Sequence, residues 1–338
     1  MFKIFAVLVM LTFVTLPATT VIEFQGADQD IAARWEWAIS TSRAGHQPVW
    51  ISYNVKEIAE NELHIGSWSN EKDDPTLSEV LGEPGGDYRK DVALIFQIYD
   101  PGTAPFQIGD LKIASHDSEI NLKDRPLYWL GDLTPQESVV WLQKLYREQK
   151  NSITEEFVAA FGIHHTTAST DMLINIARTA DADIQEDAIF WLGQHGNEKA
   201  FDFLLETLEN HPSTKVKKAA VFAASQIKSG KAVDVIIRTA RSNENEAIRK
   251  EAIFWLGQMA AEKSAASLED IIRDDPDIEL KKHAVFSLSQ MDDEQSVDSL
   301  INIARNHPNF EVRKSAIFWL GETDSDKALE VLVGILKE

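Results

Sequence analysis

Ala188-Ile189-Phe190-Trp191-Leu192-Gly193-Gln194 is a heptapeptide that returns four times. It comes back as Ala220-Val221-Phe222-Ala223-Ala224-Ser225-Gln226 and as Ala252-Ile253-Phe254-Trp255-Leu256-Gly257-Gln258. Ala284-Val285-Phe286-Ser287-Leu288-Ser289-Gln290 and Ala316-Ile317-Phe318-Trp319-Leu320-Gly321-Glu322 complete the set, and successive alanines stand 32 residues apart. A fixed period of this size marks stacked units, none of which can bury its apolar face alone.

Working outward, the same period governs the flanks. Asp181, Ser213, Asn245, Asp277 and Asn309 are all helix N-cap types, able to satisfy backbone N–H groups left open at a helix start. Three residues on stand Ile184, Val216, Ile248, Leu280 and Val312, the first expected core position of that helix. Gly or Ser at 193, 225, 257, 289 and 321 marks close packing or the helix end. A preceding helix shows in Leu173–Arg178, repeated as Leu300–Arg305, with starts aligned at Lys199, Lys231, Lys263, Gln295 and Lys327. Upstream, Thr134-Pro135-Gln136-Glu137 and Ser152-Ile153-Thr154-Glu155 resemble capping boxes. They open helices Ser138 to Gln149 and Phe157 to Ile163, expected to form a degenerate first repeat. The expectation is an α-solenoid over 134–338.

Residues 21–133 have another texture. Asp28 to Ala44 carries the spacing of a short amphipathic helix. Val49–Val55, Glu62–Trp68, Val92–Tyr99 and Phe106–Ala114 are rich in β-formers and separated by turns such as Pro84-Gly85-Gly86-Asp87 and Pro101-Gly102. The nearly continuous apolar run of Val92–Tyr99 suits the middle of a sheet. Tyr128-Trp129-Leu130-Gly131 follows Arg125-Pro126 and is expected to be a strand-to-helix junction. The fold class is therefore mainly α, a solenoid of helix pairs with a small N-terminal α+β domain of about four strands. Residues 1–20 join one positive charge, Lys3, to an apolar run from Ile4 to Leu16, with Ala18 and Thr20 at −3 and −1 of a cleavage site. This is the pattern of a signal peptide, too short for a comfortable membrane span of about 20 residues. It implies an exported protein, periplasmic or extracellular in a bacterium, with no span once the leader is removed.

The chain of 338 residues is 44% hydrophobic, enough for a large core, and carries a formal charge of −21. So acidic a protein has no overall attraction for phosphates, which argues against nucleic acid as partner. It has no cysteine, which removes disulfides, thiolate metal sites and thiol nucleophiles.

The pattern Val-Arg/Lys-Lys-x-Ala-Ile/Val-Phe-x-Leu-Gly resembles the second helix of a HEAT repeat, and most closely the short, phycobilisome-lyase-type HEAT-like repeat. It is carried by Val216-Lys217-Lys218, Ile248-Arg249-Lys250, Leu280-Lys281-Lys282 and Val312-Arg313-Lys314, while Ile184-Gln185-Glu186 departs from it. Ankyrin and tetratricopeptide signatures are not met. The resemblance implies a stack whose basic residues pair with acids of adjacent units and whose inner surface binds another protein. Its repeat subtype also implies an alternative, a lyase-like or chaperone-like protein for a bilin or other hydrophobic ligand.

Two rows of residues are candidates for partner binding. Phe190, Phe222, Phe254, Phe286 and Phe318 occupy one position in all five units. That position lies about 240° around the helix from the first core residue, off the centre of the apolar face. An aromatic ladder along a groove is one account, and contact between neighbouring repeats is the simpler one. The next position alternates as Trp191, Ala223, Trp255, Ser287 and Trp319. Steric complementarity explains this by letting each indole fill space beside a small residue, and a spaced set of binding tryptophans is the alternative. The basic pairs stand in the first turn of their helices, where the helix dipole does not favour them. No catalytic, cofactor or metal set emerges. His164-His165 are adjacent rather than at the i, i+4 spacing of a helical metal pair, no His-Glu pair occurs, and no Gly-x-Ser-x-Gly, P-loop or dinucleotide motif is present. The expectation is a non-catalytic scaffold.

Overall fold

The computed structural model describes residues 19–26, 29–42, 48–58, 74–82, 90–99, 106–149, 154–259, 262–291, 294–323 and 325–335. The expected strand at 62–68, the turns at 84–87 and 101–102, and all but the last two residues of the leader lie outside them. The chain divides into two compact units, residues 1–160 and 161–338.

Unit 1 contains β1 (Val21–Glu23), α1 (Ile31–Ser42), β2 (Val49–Val55), α2 (Leu77–Val80), β3 (Val92–Tyr99), β4 (Gln107–Ala114), β5 (Leu127–Leu133) and α3 (Pro135–Glu148), and α4 (Thr154–Gly162) crosses its boundary. The sheet runs β1-β5-β2-β3-β4. β5 lies parallel to both β1 and β2, and β2-β3-β4 are antiparallel. β2 is buried at every position and β3 at all but its last, as their unbroken apolar runs require. The expected junction at Tyr128–Gly131 is instead the heart of strand β5. Gly131 there adopts φ +80°, a left-handed conformation suited to glycine, next to a register shift between Ser52 and Asn54 of β2. The Arg34 guanidinium donates to the carbonyls of Leu130 (3.0 Å) and Asp132 (3.2 Å), securing this irregularity.

On one face of the sheet Trp35 of α1 meets Phe96 edge-on at 5.1 Å and Trp141 of α3 at 5.4 Å. The capping box of α3 forms as expected, Thr134 with Glu137. Tyr53 and Ser138 share a buried hydrogen bond of 3.1 Å, and Gln149 pairs with the backbone of Phe106 and Ile108. α3 thus packs on the sheet, and the expected 133/134 boundary falls inside unit 1, between β5 and α3. The opposite face buries Trp50, Ile95, Leu127 and Ile120 beneath Leu77 and Leu81.

Unit 2 is a helical array. Its helices are α5 (Thr167–Thr179), α6 (Ala182–His195), α7 (Glu198–Asn210), α8 (Thr214–Gln226), α9 (Gly230–Ser242), α10 (Glu246–Gln258), α11 (Glu262–Asp274), α12 (Ile278–Ser289), α13 (Glu294–Asn306), α14 (Phe310–Glu322) and α15 (Asp326–Ile335). Each even-numbered helix from α6 to α14 is the second of a pair. Its N-cap is the expected residue, with Asp181, Ser213, Asn245, Asp277 and Asn309 each accepting from an N–H of the first turn. The five repeated alanines, 188, 220, 252, 284 and 316, are completely buried, as are Val216, Ile248, Leu280 and Val312. Alanine recurs there because second helices stack on one another more closely than first helices do. This makes them the inner layer of the array.

The seams between second helices alternate. A Cβ on Gly193 would lie 2.7 Å from the Ala223 carbonyl oxygen, and one on Gly257 would overlap the Ser287 backbone. At these α6–α8 and α10–α12 seams the backbones touch, so glycine must face Ala or Ser. At the α8–α10 and α12–α14 seams a tryptophan enters instead: Trp255 meets Phe222 at 4.6 Å and Trp319 meets Phe286 at 4.8 Å. Trp191 in turn lies on Gly162. Each indole of the 64-residue alternation thus packs on a neighbouring helix, two of the three against a phenylalanine.

The first member of each basic pair has a role beyond the inter-unit ion pairing that the resemblance implied. Lys217 donates to the Glu209 carbonyl (2.9 Å), Arg249 to Ala240 (3.0 Å), Lys281 to Arg273 (2.7 Å) and Arg313 to His307 (2.7 Å). Each cation serves the C-terminal carbonyls of the preceding first helix, where a positive charge also complements the dipole. Arg249 additionally pairs with Asp275 of the next unit.

Candidate functional site

The five phenylalanines and three tryptophans form one connected series of rings. Trp191 meets Phe190 edge-on at 5.3 Å, and Phe190 stacks on Phe222 at 6.1 Å. Phe222 touches Trp255, which meets Phe254 edge-on at 5.1 Å. Phe254 stacks on Phe286 at 6.4 Å, and Phe286 touches Trp319, which meets Phe318 at 4.9 Å. The series crosses all five second helices. The rings join neighbouring repeats and remain in part exposed to solvent. Phe190 is 38% and Phe318 58% exposed, while Phe222, Phe254 and Phe286 are half-buried.

Helical geometry sets what lies beside this row. Four residues after each phenylalanine, on the same face, come Gln194, Gln226, Gln258, Gln290 and Glu322, all exposed. Four residues before it come Glu186, Lys218, Lys250, Lys282 and Lys314. Lys218 reaches Glu251 of the next unit at 3.4 Å, whereas Lys250 and Lys282 pair within their own helices with Glu246 and Glu279. The surface is thus an apolar stripe with an amide row on one side and a balanced charged row on the other. The amide row was legible in the heptapeptide, whose last residue is glutamine in four copies of five. Where the stripe passes Trp255, a cleft of about 700 Å³ opens between Gln226, Ser229, Gln258 and Met259.

Two polar clusters lie elsewhere, and both are held together by internal hydrogen bonds. In unit 1 the Asn54 amide donates to Asp91 (3.0 Å) and Asp132 (2.9 Å), while its oxygen accepts from His116 Nε2 (3.0 Å). Lys56 bridges to Asp132, and Asp91 also accepts from the Glu57 N–H. In unit 2 His195 Nε2 donates to the Gly162 carbonyl (2.9 Å), which leaves Nδ1 to accept from Thr170 (2.9 Å). Burial first, and the neighbouring His165 ring at 4.8 Å, hold the His195 imidazole neutral and lower its pKa to about 4. A neutral histidine locked by a carbonyl and a hydroxyl is a structural group. Its neighbour His164 is wholly buried. Among the described residues, no three His, Asp or Glu side chains are placed to hold a metal ion, and no helix is long and apolar enough to cross a membrane.

Comparison with known proteins agrees with this architecture. Residues 201–289 and 268–338 match the family model of HEAT repeats, so this part of the chain is a HEAT-repeat array. Among solved structures, the complex of CpcE and CpcF of phycocyanin lyase from Nostoc sp. PCC7120 is 18% identical, with a TM-score of 0.35, over 46% of this chain and 99% of that one. Human deoxyhypusine hydroxylase in complex with glycerol is 12% identical, with a TM-score of 0.26, over 59% of this chain and 85% of that one. A search of curated proteins gives no match.

Proposed function

We propose that this HEAT-repeat array is an exported, non-catalytic scaffold that binds a partner protein along the aromatic stripe of its second helices. One observation carries the reading: five phenylalanines, one per unit, keep solvent-facing edges in a connected row flanked by exposed glutamines. A row of rigid rings offers contact area at low entropic cost, and flanking amides can satisfy the polar groups of a bound chain. Nothing in the stripe resembles a nucleophile with its base, and the buried histidine and Asn54 clusters spend their hydrogen bonds inside the protein. Export rests on the pattern of residues 1–20.

Site-specific photocrosslinking tests the interaction. A benzophenone residue in place of Gln226 or Gln258 should trap one defined protein from cells, and the same probe at Glu206, on a first helix, should not. Trapping from Glu206 alone, or copurification of a pigment with no protein, overturns the scaffold reading. The export reading is checked by the N-terminus of the protein recovered from cells, expected near residue 21 in the envelope or the medium. An intact N-terminus in the cytosol sinks it.

A further inference from the structure

The five loops that lead from a second helix to the next first helix differ in charge. They read His195-Gly196-Asn197-Glu198, Ile227-Lys228-Ser229-Gly230, Met259-Ala260-Ala261-Glu262, Met291-Asp292-Asp293-Glu294 and Thr323-Asp324-Ser325-Asp326. Four of the five place an acid on the first residue of the following helix, where the helix dipole favours one. Of these helices only α9 begins with glycine, Gly230, two residues after a lysine that the other loops lack. Packing does not call for glycine there. A Cβ on Gly230 would meet no atom within 4 Å, and its φ is not in the left-handed region. Glycine is also a poorer helix former than the acid that the other units carry. Nor does the end of α8 call for Lys228, since its place is taken by Gly196, Ala260, Asp292 or Asp324 in the other loops. Both departures fall on the wall of the cleft of about 700 Å³ beside Trp255.

This cleft is unlike the acidic chain around it. Among its described lining residues the charged ones are Lys228 and Lys263. The ion pairs of neighbouring lysines, Lys218 with Glu251 and Lys231 with Glu198, have no counterpart at Lys228 among the described residues. Lys263 shares Asp234 at 3.1 Å, with both side chains exposed. Apolar lining comes from Ile227, Val233, Trp255 and Met259. The Trp255 indole N–H is spent on Glu251 (2.9 Å), whose charge Lys218 balances, so the ring offers the cleft apolar surface.

Building on the scaffold reading, on which this depends, we propose that the cleft receives an acidic segment of the partner protein. The segment carries a Glu or Asp side chain beside a large apolar one, the carboxylate meeting Lys228 and Lys263 and the apolar side chain meeting Trp255. Gly230 leaves the backbone open to close approach and withdraws the carboxylate that the period would put there. Gln226 and Gln258, which line the same cleft, can bond the segment's backbone. A second copy of this chain fits less well, because two chains of net charge −21 repel.

Two measurements tell a wrong segment from a wrong scaffold. In the first, N-acetyl-Glu-Phe-amide is titrated into the full chain to about 20 mM, and the Trp255 indole N–H, identified by its loss in Trp255→Phe, is followed by NMR. The dipeptide should bind at least about threefold more tightly than N-acetyl-Gln-Phe-amide, the preference that exposed ion pairs supply. Lys228→Met and Gly230→Glu should each abolish that preference. Gly230→Glu installs the residue of the other units where a side chain has room, so the melting temperature should not fall. No shift with either dipeptide, equal binding of the two, or a preference untouched by Gly230→Glu overturns the proposal. In the second, a benzophenone residue replaces Gln194, which belongs to the amide row but not to the cleft. Gly230→Glu should lower the yield of trapped protein more than about tenfold, since it sets like charges together. An undiminished yield keeps the scaffold and overturns the acidic segment. An adduct of two copies of this chain also overturns it. No adduct from Gln194, Gln226 or Gln258 in the unaltered chain removes the scaffold, and the acidic segment with it.

Discussion

Unit 1 and unit 2 solve the burial of polar backbone and apolar surface in opposite ways. In unit 2 the helix-to-helix contacts recur at a 32-residue interval, and its buried positions are mostly aliphatic and alanine. In unit 1 neighbours come from far apart in the chain: β5 lies between β1 and β2, and Arg34 holds carbonyls nearly a hundred residues away. Its core also contains a polar knot around Asn54, which ties β2 to the segments before β3 and after β4 and to the end of β5. The difference teaches where each unit is brittle. The array depends on shape at its seams, and the sheet unit depends on satisfied hydrogen bonds.

The seams give the largest expected effect. Gly257→Val drives a side chain into the Ser287 backbone and cannot be relieved by a rotamer change, because backbone lies in the way. A destabilisation of about 3 kcal/mol is expected, read by denaturant unfolding with hydrogen exchange to localise it to residues 246–290. Gly321→Ala, the same residue type where a Cβ would meet only Leu332 Cδ1 at 3.9 Å, should instead stabilise by about 0.5–1 kcal/mol through helix propensity. Equal effects at the two sites would show that the seams are not close-packed and would remove the contrast.

Next comes the polar knot. Asn54→Ala leaves the buried Asp91 and His116, and the exposed Asp132, without their common partner. The expected cost is about 2–3 kcal/mol, confined to unit 1. A loss below about 0.5 kcal/mol would mean that water replaces the amide readily and that unit 1 does not rest on this group.

These contrasts also explain what the sequence disclosed. The period exposed the N-caps, the buried alanines and the phenylalanine row, since each unit meets the same neighbours and one heptapeptide therefore describes five environments. The alternation of 191, 223, 255, 287 and 319 was visible as steric, but not that Phe222 and Phe286 would receive the indoles. The basic pairs were visible, and the expected pairing with an acid of the next unit forms at Arg249 and Lys218; what stayed hidden is that the first member of each pair also bonds a carbonyl at the end of the preceding helix, because backbone groups leave no trace in a side-chain pattern. In unit 1 the strand Leu127–Leu133 was hidden because its signal, Tyr-Trp-Leu-Gly, imitates the repeat motif. Only pairing with β1 and β2, from distant parts of the chain, settles it as a strand.

The His195 locus sharpens the comparison through pH. Its folded pKa of about 4 lies below the usual imidazole value of about 6.5, chiefly through burial. Between those values the unfolded chain binds the proton and the folded chain does not, so unfolding is favoured as pH falls. The contribution is fully present above about pH 6.5 and is lost progressively towards pH 4. With part of the ring solvent-screened, a loss of about 2 kcal/mol is expected across that window. Protonation would also cost the acceptor role of Nδ1 towards Thr170. His195→Gln should flatten the profile of unit 2 in this window, apart from the smaller contribution of His283, whose pKa burial also lowers. A profile with the same slope in the variant would place the titration elsewhere.

The smallest effect belongs to the cations that serve carbonyls. Lys281→Met keeps the aliphatic stem and removes the bond to the Arg273 carbonyl at the end of α11. That carbonyl is near solvent and water can replace the ammonium, so only about 0.5 kcal/mol is at stake, arising from the hydrogen bond and the dipole. The informative comparison is with Lys250→Met, which removes an exposed pair with Glu246 within one helix and should cost less than about 0.5 kcal/mol. If the repeated Lys/Arg-Lys pair is a helix-end device at its first member, salt should leave the Lys281 effect largely intact and erase the Lys250 effect, because a carbonyl contact at short range is screened far less than a surface ion pair. Equal salt sensitivity at both positions would return the pair to ordinary surface electrostatics and leave the period without a reason for keeping a basic residue at 217, 249, 281 and 313.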